Sequence, residues 1–189
     1  MQYEIFDDLL PQSFVDTIED AFNQPVPWYY TESASGIGAN YDMNDKNILD
    51  SSQFVHMIMD DNERQSQLYE LVQPVFYFIE QRTGLRPRKI ERIKANLQTP
   101  GKSETHNYNP PHIDVAEPSG MTLLYYINDS DGDTKFFNNN IEQGYNNMEV
   151  IESVTPKRGR SVLFPSNQFH SSSAPQNGRR MVINFIFHI

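Results

Sequence analysis

The chain has no cysteine among its 189 residues. Disulfides, thiolate metal sites and a cysteine nucleophile are therefore excluded, and the absence fits a reducing compartment. Long apolar runs are missing as well, since nothing approaches the roughly 20 apolar residues that cross a bilayer as a helix. The opening stretch, MQYEIFDDLL, lacks the basic start and apolar run of a secretory signal. These absences lead us to expect a soluble, cytoplasmic protein with no membrane partner. Basic residues are in deficit, 15 against 25 acidic ones, and the net charge is −10. A non-specific grip on nucleic acid needs clustered Lys and Arg, so the balance argues against that partner. Two stretches run against it, RPRKIERIK (86–94) and PKRGR (156–160), and both read as solvated strand edges.

What is present suggests one domain over residues 1–189, with a helical and loop portion at 1–87 and a β-rich core at 88–189. YEIF (3–6) reads as a short strand. PQSFVDTIEDAF (11–22) reads as an amphipathic helix, with Phe14, Ile18 and Phe22 repeating every four residues and Pro11 in its first turn. Residues 31–52 show no period and read as a long loop. The clearest helix is expected over 62–84: Leu68, Leu71, Val72, Val75, Phe76 and Ile79 make one stripe, Gly84 stops it, and Pro74 kinks or splits it. From residue 88 short alternating runs follow, namely KIERIKANLQ, HIDV, MTLLYYIN, TKFF, MEVIESV, SVLFP, HSSSA and RRMVINFIF. TPGK, EPSG, DSDGD, an Asn-rich stretch at 138–147, PKRG, PSNQ and PQNG separate them. About eight strands with no helix between them imply a mainly β (α+β) fold, a two-sheet jelly roll or barrel with the amino-terminal helices packed on one face.

Histidine is scarce, with 5 in the chain, and one of them stands in YNPPHIDV. If HIDV is extended, His112 and Asp114 project together while Ile113 turns the other way into apolar packing. His170 opens the penultimate strand and is the best third partner. Two histidines and one carboxylate on a face match the donor set of non-haem iron(II) oxygenases, which leaves positions open for substrates. The bland alternative is a polar pair on a loop. Arg180 lies in the next strand on one face with Val182, Asn184 and Ile186, while Arg179, Met181, Ile183 and Phe185 take the other. A buried arginine is costly unless an anion pairs with it, and its planar fork suits a carboxylate. That anion is either a ligand or an internal acid such as Glu149 or Glu152. His56 and His188 read as structural or solvated, His106 as a group on the substrate side, and Trp28 and Tyr29 as core. TPGKSETHNYNP and YYTESASGIGANYD (29–42) could flank the site as lids.

PPHID, LLYYIND followed by DGDTKFF, PKRGRSVLFPSNQFHSS and GRRMVINFIF, in that order, resemble the iron(II)- and 2-oxoglutarate-dependent dioxygenases. The nearest branch is the prolyl-4-hydroxylase-like group, which includes small bacteriophage members; a phage origin would place the protein in the host cytoplasm. The resemblance covers roughly residues 88–188. It implies a double-stranded β-helix catalytic core and iron(II) held by His112, Asp114 and His170. It further implies that Arg180 binds the distal carboxylate of 2-oxoglutarate, that Tyr126 donates its hydroxyl there, and that Gln98, where relatives often carry tyrosine, bonds the same co-substrate through its amide. Val182, where many relatives have a small or serine residue, cannot. Dioxygen is the implied second co-substrate, with succinate and carbon dioxide released, and ascorbate is an accessory reductant to include. A peptide bearing proline is the favoured substrate, or else a small molecule. Two rivals are a non-catalytic cupin-like metal-binding module and an oxygenase of nucleobases. Nothing in the sequence fixes an oligomeric state.

Overall fold

The computed structural model describes residues 3–35, 51–100, 108–140 and 148–189, and it is mainly β. In chain order the elements are β1 (Glu4–Phe6), α1 (Gln12–Asn23), β2 (Tyr29–Thr31), β3 (Gln53–Asp60), β4 (Glu63–Arg64), α2 (Leu68–Val72), α3 (Val75–Thr83), β5 (Lys89–Gln98), β6 (Gly120–Tyr126), β7 (Thr134–Asn140), β8 (Val150–Val154), β9 (Ser161–Pro165), β10 (Gln168–Ser172) and β11 (Arg180–His188). The large sheet runs β1-β9-β6-β11-β5-β3-β2 with β4 paired to β3, and a small sheet runs β10-β7-β8. This is the two-sheet jelly roll expected from the spacing of turns.

β11 lies at the centre of the large sheet, and its alternation divides the molecule. Met181, Ile183, Phe185 and Phe187 face one side and are buried with Ile93, Ala95, Leu123 and Tyr125. Val15, Ile18 and Phe22 of α1 cover that side, together with Val72 of α2 and Val75, Phe76 and Ile79 of α3. The helices thus brace one face. Phe76 stands edge-on to Phe185 and Phe187, at 5.6 and 5.5 Å between ring centroids. Val182 faces the other way and joins Leu124, Tyr126, Phe136, Val154, Val162 and Phe164 in a second apolar cluster between the sheets.

The expected helix over 62–84 forms only from Leu68 onward, in two pieces split at Pro74. Gly84 closes it in the left-handed conformation (φ +74°), its N–H donating to the Glu80 carbonyl at 2.8 Å. Residues 62–64 belong instead to a hairpin between β3 and β4. Asp61 and Asn62 both take positive φ (41° and 61°), as a tight hairpin turn requires, and Asp60 pairs with Glu63. The eight-residue β3 has no counterpart among the expected elements, and the portion read as helix and loop contributes four strands.

HIDV is not a regular strand. Pro110 and Pro111 have no N–H to donate to a ladder. The segment pairs only as an isolated bridge between His112 and His170, with N–H···O distances of 2.9 and 3.0 Å. Ile113 is half-buried and faces the same cavity as its neighbours rather than an apolar core. Neither basic stretch is a solvated edge. β5 is interior, paired with β11 and β3. Arg158 holds Asp16 and Glu19 of α1, and Arg160 grips Asp7 through Nε at 2.6 Å and Nη2 at 2.9 Å. Trp28 packs on the core as expected, but Tyr29 is 67% exposed on edge strand β2. No helix among the described residues is long and apolar enough to cross a membrane.

Phe185→Ala should cost about 3–5 kcal/mol in urea denaturation, the range for emptying a buried aromatic site. A loss under about 1 kcal/mol would mean that this face is not the core.

Candidate metal centre

His112, Asp114 and His170 each offer one ligand atom within 4.8 Å of the others. The His112–His170 bridge sets the two imidazoles together, with ring centroids 4.6 Å apart. Asp114 then bends away from strand geometry, its N–H donating to the Ser166 carbonyl at 2.8 Å. Its side chain is only 2% exposed, and Oδ2 accepts from the Thr122 hydroxyl at 2.7 Å. His112 Nδ1 lies 3.3 Å from the Pro110 carbonyl, and His170 Nδ1 lies 3.0 Å from that of Gln168. A carbonyl can only accept, so both Nδ1 atoms carry a proton and Nε2 is the ring atom each histidine turns to a metal. His170 Nε2 stands 3.6 Å from Asp114 Oδ2.

Electrostatics favour the same state. Burial, helped by repulsion from His170, pushes the His112 pKa down to about 4, so the ring is neutral at physiological pH. Burial pushes Asp114 up, but the two imidazoles, Thr122 and Arg92 outweigh it and hold the carboxyl below its ordinary range. Two imidazoles and one carboxylate, each oriented by a hydrogen bond, fit a divalent transition metal such as iron(II).

The three residues open on a cavity of about 790 Å³ between the sheets, and Arg180 lines the same cavity. Arg180 is 3% exposed, and burial lowers its pKa from the ordinary value. Its Nε donates to the Gly132 carbonyl at 2.8 Å, Nη2 to Thr134 Oγ1 at 2.8 Å, and Nη1 reaches Gln98 Oε1 at 3.4 Å. None of the ion pairs among the described residues includes Arg180, and Glu152 instead accepts from the Tyr3 hydroxyl. A buried guanidinium with no ion pair among the described residues fits a ligand carboxylate. Arg179 is exposed and donates to Asn23.

Tyr126 and Gln98 stand behind Arg180 rather than on the cavity wall. The Tyr126 hydroxyl donates to Thr134 Oγ1 at 2.7 Å. Gln98 is the register partner of Arg180 and donates to Ser172 Oγ at 3.3 Å. Both side chains buttress the arginine in the structure as it stands.

Sequence reasoning missed Gly132 and Thr134, which position the guanidinium. A Cβ at Gly132 would fall 2.5 Å from the Ser173 carbonyl and 3.1 Å from Arg180 Cδ. The glycine of DSDGD was legible as a turn, but not as a close approach. Arg92 and Lys94 were also missed, and both line the cavity. His56 is held at both ring nitrogens by the Pro27 carbonyl and Ser66 Oγ, and His188 meets Ser119 and Glu91, so both are structural. His106, residues 36–42 of one expected lid, residues 101–107 of the other and positions 141–147 lie outside the described residues.

Residues 101–188 match the family model of the 2OG-Fe(II) oxygenase superfamily. Among curated proteins no relative matches. The fold is similar to a non-heme alpha ketoglutarate-dependent epimerase, SnoN of nogalamycin biosynthesis, with TM-score 0.65 and 12% identity, covering 98% of this chain and 78% of that one. It is also similar to a Pseudomonas putida prolyl-4-hydroxylase, with TM-score 0.55 and 16% identity over 99% and 92% of the two chains. A Trichoplax adhaerens prolyl hydroxylase, solved with a hypoxia inducible factor peptide fragment, gives TM-score 0.56 and 18% identity over 98% and 83%. The stretch bearing His112, Asp114, His170 and Arg180 thus matches a 2OG-Fe(II) oxygenase domain, and the match supports an oxidoreductase enzyme over the non-catalytic rival.

Proposed function

We propose that the protein hydroxylates a C–H bond at the expense of 2-oxoglutarate and dioxygen, with a prolyl side chain of a peptide as the favoured target. One observation carries this reading: a buried arginine with no ion-pair partner among the described residues faces the same cavity as a His-Asp-His cluster. His112, Asp114 and His170 would hold iron(II), and Arg180 the distal carboxylate of 2-oxoglutarate. Iron(II) and 2-oxoglutarate, bound together, would supply the electrons that activate dioxygen, one oxygen atom going to the substrate C–H bond and the other into succinate, with carbon dioxide released. The protein's own work is positional. Thr122 fixes one oxygen of Asp114, backbone carbonyls fix both imidazoles, and Gly132 and Thr134 fix the guanidinium.

The cavity is near the upper end of the usual ~300–1,000 Å³ for ligand sites, so room remains beside a five-carbon co-substrate. Its rim includes Thr31–Ser35, part of the stretch read as a lid. Two prolyl hydroxylases among the similar structures, one holding a peptide, support the peptidyl reading.

Incubation with iron(II), 2-oxoglutarate, ascorbate and three candidates (a proline-rich peptide, free proline, single-stranded DNA) should release succinate and add one oxygen to the peptide, read by mass spectrometry. Oxygen added to DNA alone would contradict the peptide reading. A divalent ion such as Mn(II) should raise the melting temperature of the native protein and leave that of Asp114→Ala unmoved, because only a folded site with its carboxylate gains by mass action. Equal shifts in both would remove Asp114 from the ligand set. Arg180→Ala should raise the 2-oxoglutarate requirement at least tenfold, since a charge-assisted contact of ~2–3 kcal/mol is roughly 30- to 150-fold, and Arg180→Lys should recover only part. Gly132→Ala, which crowds the same guanidinium, should shift that requirement in the same direction, and an unchanged value would show that the close approach is not needed.

A further inference from the structure

Arg92 and Lys94 have no part in that scheme, yet both line the cavity. In strand β5 alternate residues share a face, so Arg92, Lys94 and Asn96 all face inward. Arg92 is the register partner of Ile186 and Lys94 that of Asn184, whereas Gln98 is opposite Arg180. Six residues of strand between Arg92 and Gln98 span about 20 Å at ~3.3 Å each. Along the strand, Arg92 and Arg180 therefore belong to opposite ends of this wall.

The described lining holds three cations, Arg92, Lys94 and Arg180, against two acids, Asp114 and Glu32, of which Glu32 is exposed at the rim. A divalent metal and a doubly charged 2-oxoglutarate cancel, and Asp114 pairs with Arg92, so cationic charge remains in excess on this wall. Asp60, the register partner of Arg92 on β3, is exposed and outside that lining. Lys94 makes no hydrogen bond or ion pair among the described residues, and burial draws its pKa down to about 8. Arg92 Nη2 is 3.7 Å from Asp114 Oδ1, so the guanidinium partly serves to orient that carboxylate. This role leaves Lys94 unexplained, and also Arg92 Nε, which is buried without a partner. Three more buried polar atoms of the lining lack partners among the described residues: Asn96 Oδ1 and Asn184 Oδ1 on the large sheet and Ser171 Oγ on the small one. The two cations attract an anion and the amide oxygens accept from a donor, so this lining fits a polar occupant with a negative group.

Given the oxygenase reading above, we propose that Arg92 and Lys94 form a carboxylate-binding subsite that holds an anionic substrate beside the metal. The carboxylate has two chemical sources, the α-carboxylate of a free amino acid or the acidic side chain of a peptide. Either would place its carbon chain between the subsite and the triad, with the amides of Asn96 and Asn184 alongside.

The test measures binding by calorimetry on protein loaded with Mn(II) and 2-oxoglutarate, using two pairs of probes. One pair is L-proline and L-prolinamide; the other is a capped Ala-Pro-Asp tripeptide and its Asn counterpart. The carboxylate member of at least one pair should bind about tenfold or more tightly than its amide partner. Preference within the proline pair alone assigns the subsite to a free amino acid, and preference within the peptide pair alone assigns it to an acidic peptide. Lys94→Met should reduce the preference to within about twofold, Lys94→Arg should retain most of it, and 2-oxoglutarate affinity, which also reports folding, should change less than about threefold in both. Arg92→Gln should reduce the preference as well, and carries the test should Lys94→Met fail to fold. No preference in either pair, or a preference that survives these neutral substitutions, overturns the subsite. Hydroxylation of both peptides alike and of both proline probes alike would overturn it while leaving the hydroxylase reading intact, and 2-oxoglutarate turnover without hydroxylation would do the reverse.

Discussion

Two backbone hydrogen bonds, exchanged between His112 and His170, are the contact on which the rest of the site depends. One partner is at the end of a proline-stiffened loop and the other in the small sheet. Without this bridge the two imidazoles would belong to separate segments. Pro110 and Pro111 keep the pairing from spreading into a ladder, because neither can donate. A full strand would carry Asp114 along a regular pleat. Limited to one bridge, the chain bends, and Asp114 instead meets Ser166 through its backbone and Thr122 through its side chain.

β11 supplies the second organising constraint. One side of it is apolar and covered by helices, and the other bears Arg180, Val182 and Asn184. The strand that carries the core therefore also carries the guanidinium, and the arginine inherits the rigidity of the most buried part of the sheet. Burying such a cation is unfavourable, and the Gly132 carbonyl and the Thr134 hydroxyl offset only part of the lost hydration. The remainder favours a bound carboxylate.

Much of this was legible in the sequence. Alternation in RRMVINFIF separated Arg180 from Arg179, and the i, i+2 spacing in HIDV grouped His112 with Asp114 although the strand behind that reasoning did not form. Turn residues marked the strand boundaries from residue 88 onward, and Pro74 and Gly84 marked the breaks in the helix. Other features depended on tertiary partners. β3 gives no clean alternation, because it packs on both faces and ends in an Asp-Asn turn, where positive φ depends on hairpin closure. Gly132 reads as an ordinary turn glycine until Ser173 and Arg180 are brought against it. Arg92 and Lys94 read as surface charge until β5 is placed inside the sheet, where the same alternation sends them into the cavity. Tyr126, which the resemblance assigned to the co-substrate, gives its hydroxyl to Thr134, a contact the sequence does not show.

The central claim is that one cavity between the sheets holds a metal on His112, Asp114 and His170 and a dicarboxylate on Arg180. A crystal structure with Mn(II) and 2-oxoglutarate tests it most directly. The account predicts metal density bounded by those three side chains, about 2.0–2.2 Å from their ligand atoms by analogy with zinc sites, and a carboxylate forked by the guanidinium of Arg180. Metal bound elsewhere, or a dicarboxylate seated on Arg92 and Lys94 with Arg180 unengaged, would contradict it.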